Sequence, residues 1–428
     1  MNTVNVEGKR LMLIGGVGAT CEIIREAHKL GVVVLETDYL SDSPAKKLAD
    51  KSFMTSCTDV DAVVSLCQQE KVDGVFTGYT DSLLPYVEQI CRKLNKPFWG
   101  NAENIDVCID KMKFKAACQK AGVKTVPSIT VTLNDYEDKI KNVKCPVVVK
   151  PVDNSGSRGV FKCFNQSELK EYCIKSFSFS KKKELLIERM MNVNNEFSAY
   201  YILAGGSYKL CSMGDRYVDV VDENTAPQAK GMLFPSIHLD DFINKADSSI
   251  RDFFKQNNMN DGFVFIQGFA EDDDFFISEI GYRLNGGFTY KFNEIYNGYN
   301  QLQELLCYSL TGTLNPNVIT LTNPHFDGFG LLVTISLKEG IIGKIDGIEE
   351  IRSHNGIYDF VQQHEIGDNL SAHGTSAQIF GYAFCFGKTQ KELNDIVTFI
   401  KNKLTIEDVN HNNMLIGIID ASSLRLRY

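Results

Sequence analysis

Two stretches decide the fold: CPVVVKPVDNSGSRGV at residues 145–160 and FVFIQGFAEDDDFFISEIGYRLNGG at residues 263–287. In the first, a β-branched run predicts a buried strand ending on Lys150, and six residues later comes the turn Gly156-Ser157-Arg158-Gly159. Small residues let backbone N–H groups close on an anion's oxygens, and a strand-end lysine sets a point charge beside them. In the second, two apolar runs flank Asp272–Asp274 and predict a hairpin with a solvated acidic tip. That triplet lacks the alternating ligand spacing of an EF-hand loop. Folding the hairpin brings Gln267 near Glu279, with Arg283 four residues further on. A carboxylate for a divalent cation plus an arginine are what a transferring phosphoryl group needs around it. A surface Glu–Arg ion pair is the plainer reading of the same spacing.

Upstream, residues 10–100 alternate apolar strands (RLMLIGG, VVVLETD, DGVFTG) with helical patterns (ATCEIIREAHKLG, DAVVSLCQQEKV, SLLPYVEQICRKLN). Such alternation predicts a parallel sheet covered on both faces. Residues 109–123, IDKMKFKAACQKAGV, read as one helix closed by Gly122. The helix ELKEYCIKSFSF and the strand KKKELLIERMM follow, the triple lysine marking a solvated turn. Strands dominate 196–290. Residues 328–428 read as a separate α+β unit, with FGLLVTISLKEGIIGKIDG as a meander and TQKELNDIVTFIKNKL as an amphipathic helix.

Composition sets the limits. A chain of 428 residues exceeds one ordinary domain, and 43% hydrophobic content supplies real cores. A net charge of −9 without a basic block argues against nucleic acid or an anionic membrane as the main partner. Twelve cysteines without a CxxC pair suit reduced thiols in a cytoplasmic protein, and no signal core or apolar run of membrane-spanning length is evident.

On these residues the chain resembles the ATP-grasp superfamily, in particular the group containing biotin carboxylase, purine-pathway carboxylases and L-amino-acid ligases. The resemblance spans nearly the whole chain. It implies an α/β and α+β fold: a Rossmann-like N-terminal domain (1–104), an ATP-grasp domain (105–310) with a mobile lid at about 115–187, and a C-terminal α+β domain (311–428). Lys111, in IDKMKFKAACQKAGVKTVP, is similar to the first nucleotide lysine and Lys150 to the second, with Gly156, Ser157, Arg158 and Gly159 as the loop over the phosphates. LLIERMM is similar to the hinge, where Glu188 would meet the adenine amino group and Arg189, Met190 and Met191 would line the base. Glu196 would take the ribose hydroxyls, Glu279 and Gln267 the Mg²⁺ (or Mn²⁺), and Arg283 would steady the activated intermediate. The implied activity is an ATP-dependent ligase joining a small-molecule carboxylate to an amine, with Lys150 and Arg283 as catalytic groups. The resemblance allows a homodimer, and no motif reports one.

Two positions depart from the family pattern. Gln267 stands where a glutamate is usual, and Glu279-Ile-Gly281-Tyr-Arg283 lacks the asparagine of E-x-N-x-R. A glutamine carbonyl coordinates Mg²⁺ with less charge than a carboxylate. Three other readings stay open. One is a carboxylase or carbamoyl-phosphate-type enzyme using bicarbonate. Another is a nucleotide-binding protein without catalysis. The third is an NAD(P) oxidoreductase, because Gly15-Gly16-Val17-Gly18 follows a strand and Asp38 lies twenty residues beyond. Cys21 occupies the third-glycine place and no Lys-Ser/Thr follows, so the turn is not a Walker A loop. Arg216 and Phe234-Pro235-Ser236 are candidates for the acceptor pocket by position alone.

Overall fold

A computed structural model describes residues 5–153, 159–219, 228–370 and 376–427. The N-terminal strands Arg10–Ile14, Val33–Thr37, Lys51–Phe53 and Gly74–Thr77 form the expected parallel sheet, with Arg10–Ile14 between Val33–Thr37 and Gly74–Thr77. Period-2 alternation puts Leu11 and Leu13 into one apolar cluster, with Ile23 and Ile24 of the Thr20–Lys29 helix. Met12 and Ile14 enter a second cluster on the other face, with Val63, Val87 and Ile90. Both faces are therefore covered.

The helix expected over 109–123 runs over Lys111–Ala121, and a separate helix, Ala102–Ile109, precedes it. Asp110 breaks the run: its carboxylate accepts the N–H groups of Met112 and Lys113, a cap that fixes Lys111 in the first turn. Gly122 closes the second helix at φ +76°, as its position predicts.

A four-stranded antiparallel sheet follows, in the order Ser128–Thr132, Glu184–Arg189, Val147–Pro151, Phe161–Cys163. Its apolar face packs Val131, Val149, Leu185 and Ile187 against Leu169, Cys173 and Phe177 of the Gln166–Phe179 helix. The turn at the triple lysine is organised rather than merely solvated: Asp153 accepts from Ser180 Oγ (2.7 Å) and from the backbone of Lys181 and Lys182 (2.8 Å each).

The large sheet has eight strands, ordered Asp274–Gly281, Gly262–Glu271, Glu196–Ala204, Ser207–Asp219, Gln228–Phe234, Phe329–Ser336, Ile379–Gly387, Ile357–Gln362. The C-terminal residues have an apolar cluster of their own but are not set apart, because Phe329–Ser336 pairs directly with Gln228–Phe234. The meander expected over 328–347 does not form. Phe329–Ser336 is buried along both faces and needs a partner on each side, whereas the largely exposed Gly340–Asp346 joins a small sheet with Asn369–Leu370 and Thr405–Asp408.

Candidate functional site

Glu188 occupies the centre of the four-stranded sheet, opposite Val148, and Lys150 lies opposite Leu186. The two side chains therefore share a face on a diagonal, and Lys150 Nζ reaches Glu188 Oε2 at 2.6 Å. Lys115, one helical turn beyond Lys111, approaches Glu188 Oε1 at 3.0 Å. Glu188 is only 6% exposed. Burial raises its carboxyl, but Lys150 and then Lys115 outweigh that and hold it below the ordinary carboxylate range.

Gln267 faces Glu279 across the hairpin, and Ser198 on its other side. A register shift at this point leaves Ser278 as an extra residue, so Ile277 and Ile280 are buried while Glu279 is exposed. On the same sheet face Glu196 pairs with Arg216. Burial raises the Glu196 carboxyl; Arg216 opposes this and the nearby Glu279 adds to it. Gln267 and Glu279 thus offer a carbonyl oxygen and a carboxylate side by side, hard donors that fit Mg²⁺. Among the described residues no group of three or more His, Cys, Asp or Glu could hold a metal alone. A side chain at Gly281 would overlap the Phe265 ring, so the missing asparagine has no room.

Lys111 lies against the end of the four-stranded sheet. Its Nζ donates to Val152 O (3.4 Å). Its pKa is lowered by burial and by Lys150, against the pull of Glu279, Glu188 and Asp153. The Lys111 ammonium is thus within electrostatic reach of Lys150 and Glu188 in the four-stranded sheet and of Glu279 on the hairpin.

Arg283 is 9% exposed and grips Asp81 through Nε (2.7 Å) and Nη2 (2.5 Å), with its guanidinium 4.9 Å from the Phe265 ring centre. Asp81 follows the Gly74–Thr77 strand, so the N-terminal sheet delivers a carboxylate to this arginine. The neighbouring Tyr282 hydroxyl shares its one proton between Trp99 O (2.8 Å) and Asp261 O (2.6 Å), which ties the junction together.

Other expected residues lie elsewhere. The Arg189 side chain turns to the hairpin tip, to Asp272 (2.8 Å) and Glu271 (3.4 Å), over the Phe276 ring. Asp273 and Asp274 also have cations, Lys245 (2.5 Å) and Lys124, so the acidic tip is the expected solvated turn, its exposed carboxylates joined in surface ion pairs. Arg189 N donates to Pro127 O (2.9 Å) and Met190 N to Pro146 O (3.3 Å), and Met191 is buried. Gly159 sits at φ +77° against Phe179, which leaves no space for a side chain. Gly156, Ser157 and Arg158 lie outside the described residues.

The N-terminal glycine turn opposes a dinucleotide. Asp38 Oδ2 already accepts the Gly16 N–H (3.1 Å), so a pyrophosphate there would meet a carboxylate. Sequence reasoning missed Lys115 and Asp81. Lys115 had a signal in its i+4 spacing from Lys111; Asp81, 202 residues from its partner, had none.

Residues 110–205 match the family described as the carbamoyl-phosphate synthase L chain, ATP binding domain. A formate-dependent phosphoribosylglycinamide formyltransferase of Sulfurisphaera tokodaii is 22% identical over 198 residues, 44% of this chain and 49% of that protein. The chain spans about half the length of such curated relatives. An L-amino acid ligase structure from Bacillus licheniformis superposes with a TM-score of 0.75 at 18% identity, covering 94% of this chain and 99% of that one. The biotin carboxylase domain of Hydrogenobacter thermophilus 2-oxoglutarate carboxylase, solved as a dimer with MgADP and bicarbonate, gives 0.76 at 15% identity over 93% and 91%. The chain has the ATP-grasp fold. No helix among the described residues is long and apolar enough to cross a membrane.

Proposed function

We propose that this protein is a Mg-ATP-dependent ligase that activates a carboxylate as an acyl phosphate and transfers the acyl group to an amine. The observation that carries the reading is the Lys150–Glu188 ion pair in the four-stranded sheet, with Lys111 against the end of that sheet and within electrostatic reach of Glu279, which faces Gln267 on the hairpin. The match of residues 110–205 to an ATP-binding family and the MgADP in a neighbouring fold support the nucleotide and the metal.

In this reading residues 105–310 clamp ATP. Lys111 and Lys150 neutralise phosphate oxygens, and Glu188 accepts from the adenine amino group. Glu196 takes the ribose hydroxyls. Mg²⁺, held by Glu279 and Gln267, supplies charge neutralisation on the phosphates when bound. The substrate carboxylate oxygen attacks the γ-phosphorus, and the bond to the β,γ-bridging oxygen breaks to release ADP. Arg283 lies beside the acyl phosphate. The amine nitrogen then attacks the carbonyl carbon, the carbon–oxygen bond to phosphate breaks, and the nitrogen loses a proton. Positioning and charge neutralisation supply most of the acceleration, with the lid excluding water.

The test is phosphate release over a matrix of carboxylic acids and amines, with bicarbonate among the acids, and mass spectrometry of the products. An amide product is the expected result. Lys150→Ala loses at least about 100-fold in turnover, on the order of 3 kcal/mol, as when one preorganised donor is removed. A product formed by Lys150→Ala at the unmutated rate refutes the assignment.

A further inference from the structure

Glu188 is held from two sides, and the two holds differ. Lys150 approaches from the adjacent strand; Lys115 approaches from the Lys111–Ala121 helix, outside the sheet. Lys115 spends a hydrogen bond on Val126 O (2.8 Å) and stands 3.0 Å from Glu188 Oε1. That second contact is an ion pair, and the buried Glu188 Oε1 has no other partner. An ionised carboxylate oxygen accepts more than one hydrogen bond, so Oε1 can take a ligand N–H beside the lysine. The lysine thus keeps the carboxylate charged while leaving one acceptor oxygen open.

We infer that Lys115 is the positioning residue that sets nucleobase selectivity, holding Glu188 as an open acceptor that favours a purine with an exocyclic amine over one with a carbonyl there. This rests on the proposed nucleotide site. An ionised carboxylate accepts but cannot donate, so it bonds an amino group and repels a carbonyl oxygen. Without Lys115, Glu188 keeps only Lys150 against its burial, the balance moves toward the protonated carboxyl, which donates as readily as it accepts, and the distinction weakens.

The experiment measures MgADP and MgIDP binding calorimetrically to the full chain. The unmutated protein binds ADP at least tenfold more tightly than IDP. In Lys115→Met, which keeps the aliphatic stem, ADP weakens at least fivefold, IDP changes less than twofold, and the ratio approaches one. Lys115→Arg retains the preference. Glu188→Gln also loses it, and Lys115→Met in that background lowers the ratio no further, a non-additivity expected of directly coupled groups. Equal weakening of ADP and IDP in Lys115→Met, or an unchanged ratio, overturns the inference and marks Lys115 as a packing residue. Should Lys115→Met fail to fold, the ratios for Lys115→Gln and Glu188→Gln decide in the same way. An unmutated protein that binds neither nucleotide refutes the proposed function itself.

Discussion

Glu36 is the carboxylate most open to physical test, because no hydrogen bond compensates its burial. It ends the Val33–Thr37 strand at 0% exposure, and neither oxygen has a hydrogen-bond partner. Gly16 lies against it, where any side chain would overlap Glu36 Oε1 and Ser43 Oγ. Burial, opposed by Lys46 and reinforced by Asp38, raises its pKa from 4.5 to about 7. At about 1.36 kcal/mol per unit the shift corresponds to roughly 3 kcal/mol. Below pH 4.5 both folded and unfolded chains carry the proton and the group contributes nothing to pH dependence. Between 4.5 and 7 the unfolded chain ionises first, so stability falls as pH rises; above 7 the penalty is complete. Glu36→Gln never ionises. Its stability relative to the unmutated protein should therefore improve by up to roughly 3 kcal/mol between pH 4.5 and pH 8, whatever offset the amide introduces. Urea midpoints read from the single, buried Trp99 report this region directly. A difference between the two proteins that is the same at pH 4.5 and pH 8 refutes the reasoning.

Lys291, 2% exposed, ties the N-terminal helix to the C-terminal strand through Glu22 (2.6 Å) and Asp359 (2.8 Å). Lys291→Met leaves the buried Glu22 with only a 3.4 Å contact to Arg25 and should cost about 3 kcal/mol in denaturant unfolding, with part recovered by adding Glu22→Gln; a loss below about 1 kcal/mol contradicts this. Gln267→Glu adds a carboxylate beside Glu279 and should tighten Mn²⁺ binding in the presence of ADP about tenfold, read by electron paramagnetic resonance; an unchanged affinity places the cation elsewhere.

Much of the architecture was legible because burial leaves its mark locally. The runs LMLI, VVLET and VVVK are apolar for the length of a strand, and turn residues bound them. What escaped were properties of neighbours. Nothing in FGLLVTIS names Gln228–Phe234 as its partner, so the C-terminal strands were expected to stand apart although they extend the central sheet. Asp110 reads as one polar residue within a helical pattern until its carboxylate is seen capping Met112 and Lys113. The absent asparagine at 281 was visible, but its cause was not: Phe265 fills that space and carries the Arg283 guanidinium on its face.

The hairpin shows how little separates a legible site from a wrong one. From the tip, Glu271 pairs with Asp274 and Gly268 with Ile277, a regular register that would next set Gln267 against Ser278. In that register Glu279 would point with Ile277 into the core, since a one-residue slip reverses the face of every side chain beyond it. The extra residue at Ser278 prevents this. Its hydroxyl donates to Gln267 O (3.1 Å), the register shifts, and Gln267 faces Glu279 instead. The sequence carries the mark: Ile277 and Ile280 are three apart, where an unbroken strand buries every second residue. The pairing of Gln267 with Glu279 therefore depends on a bulge that apolar spacing encodes, and the face that presents both side chains follows from Ile280 entering the core.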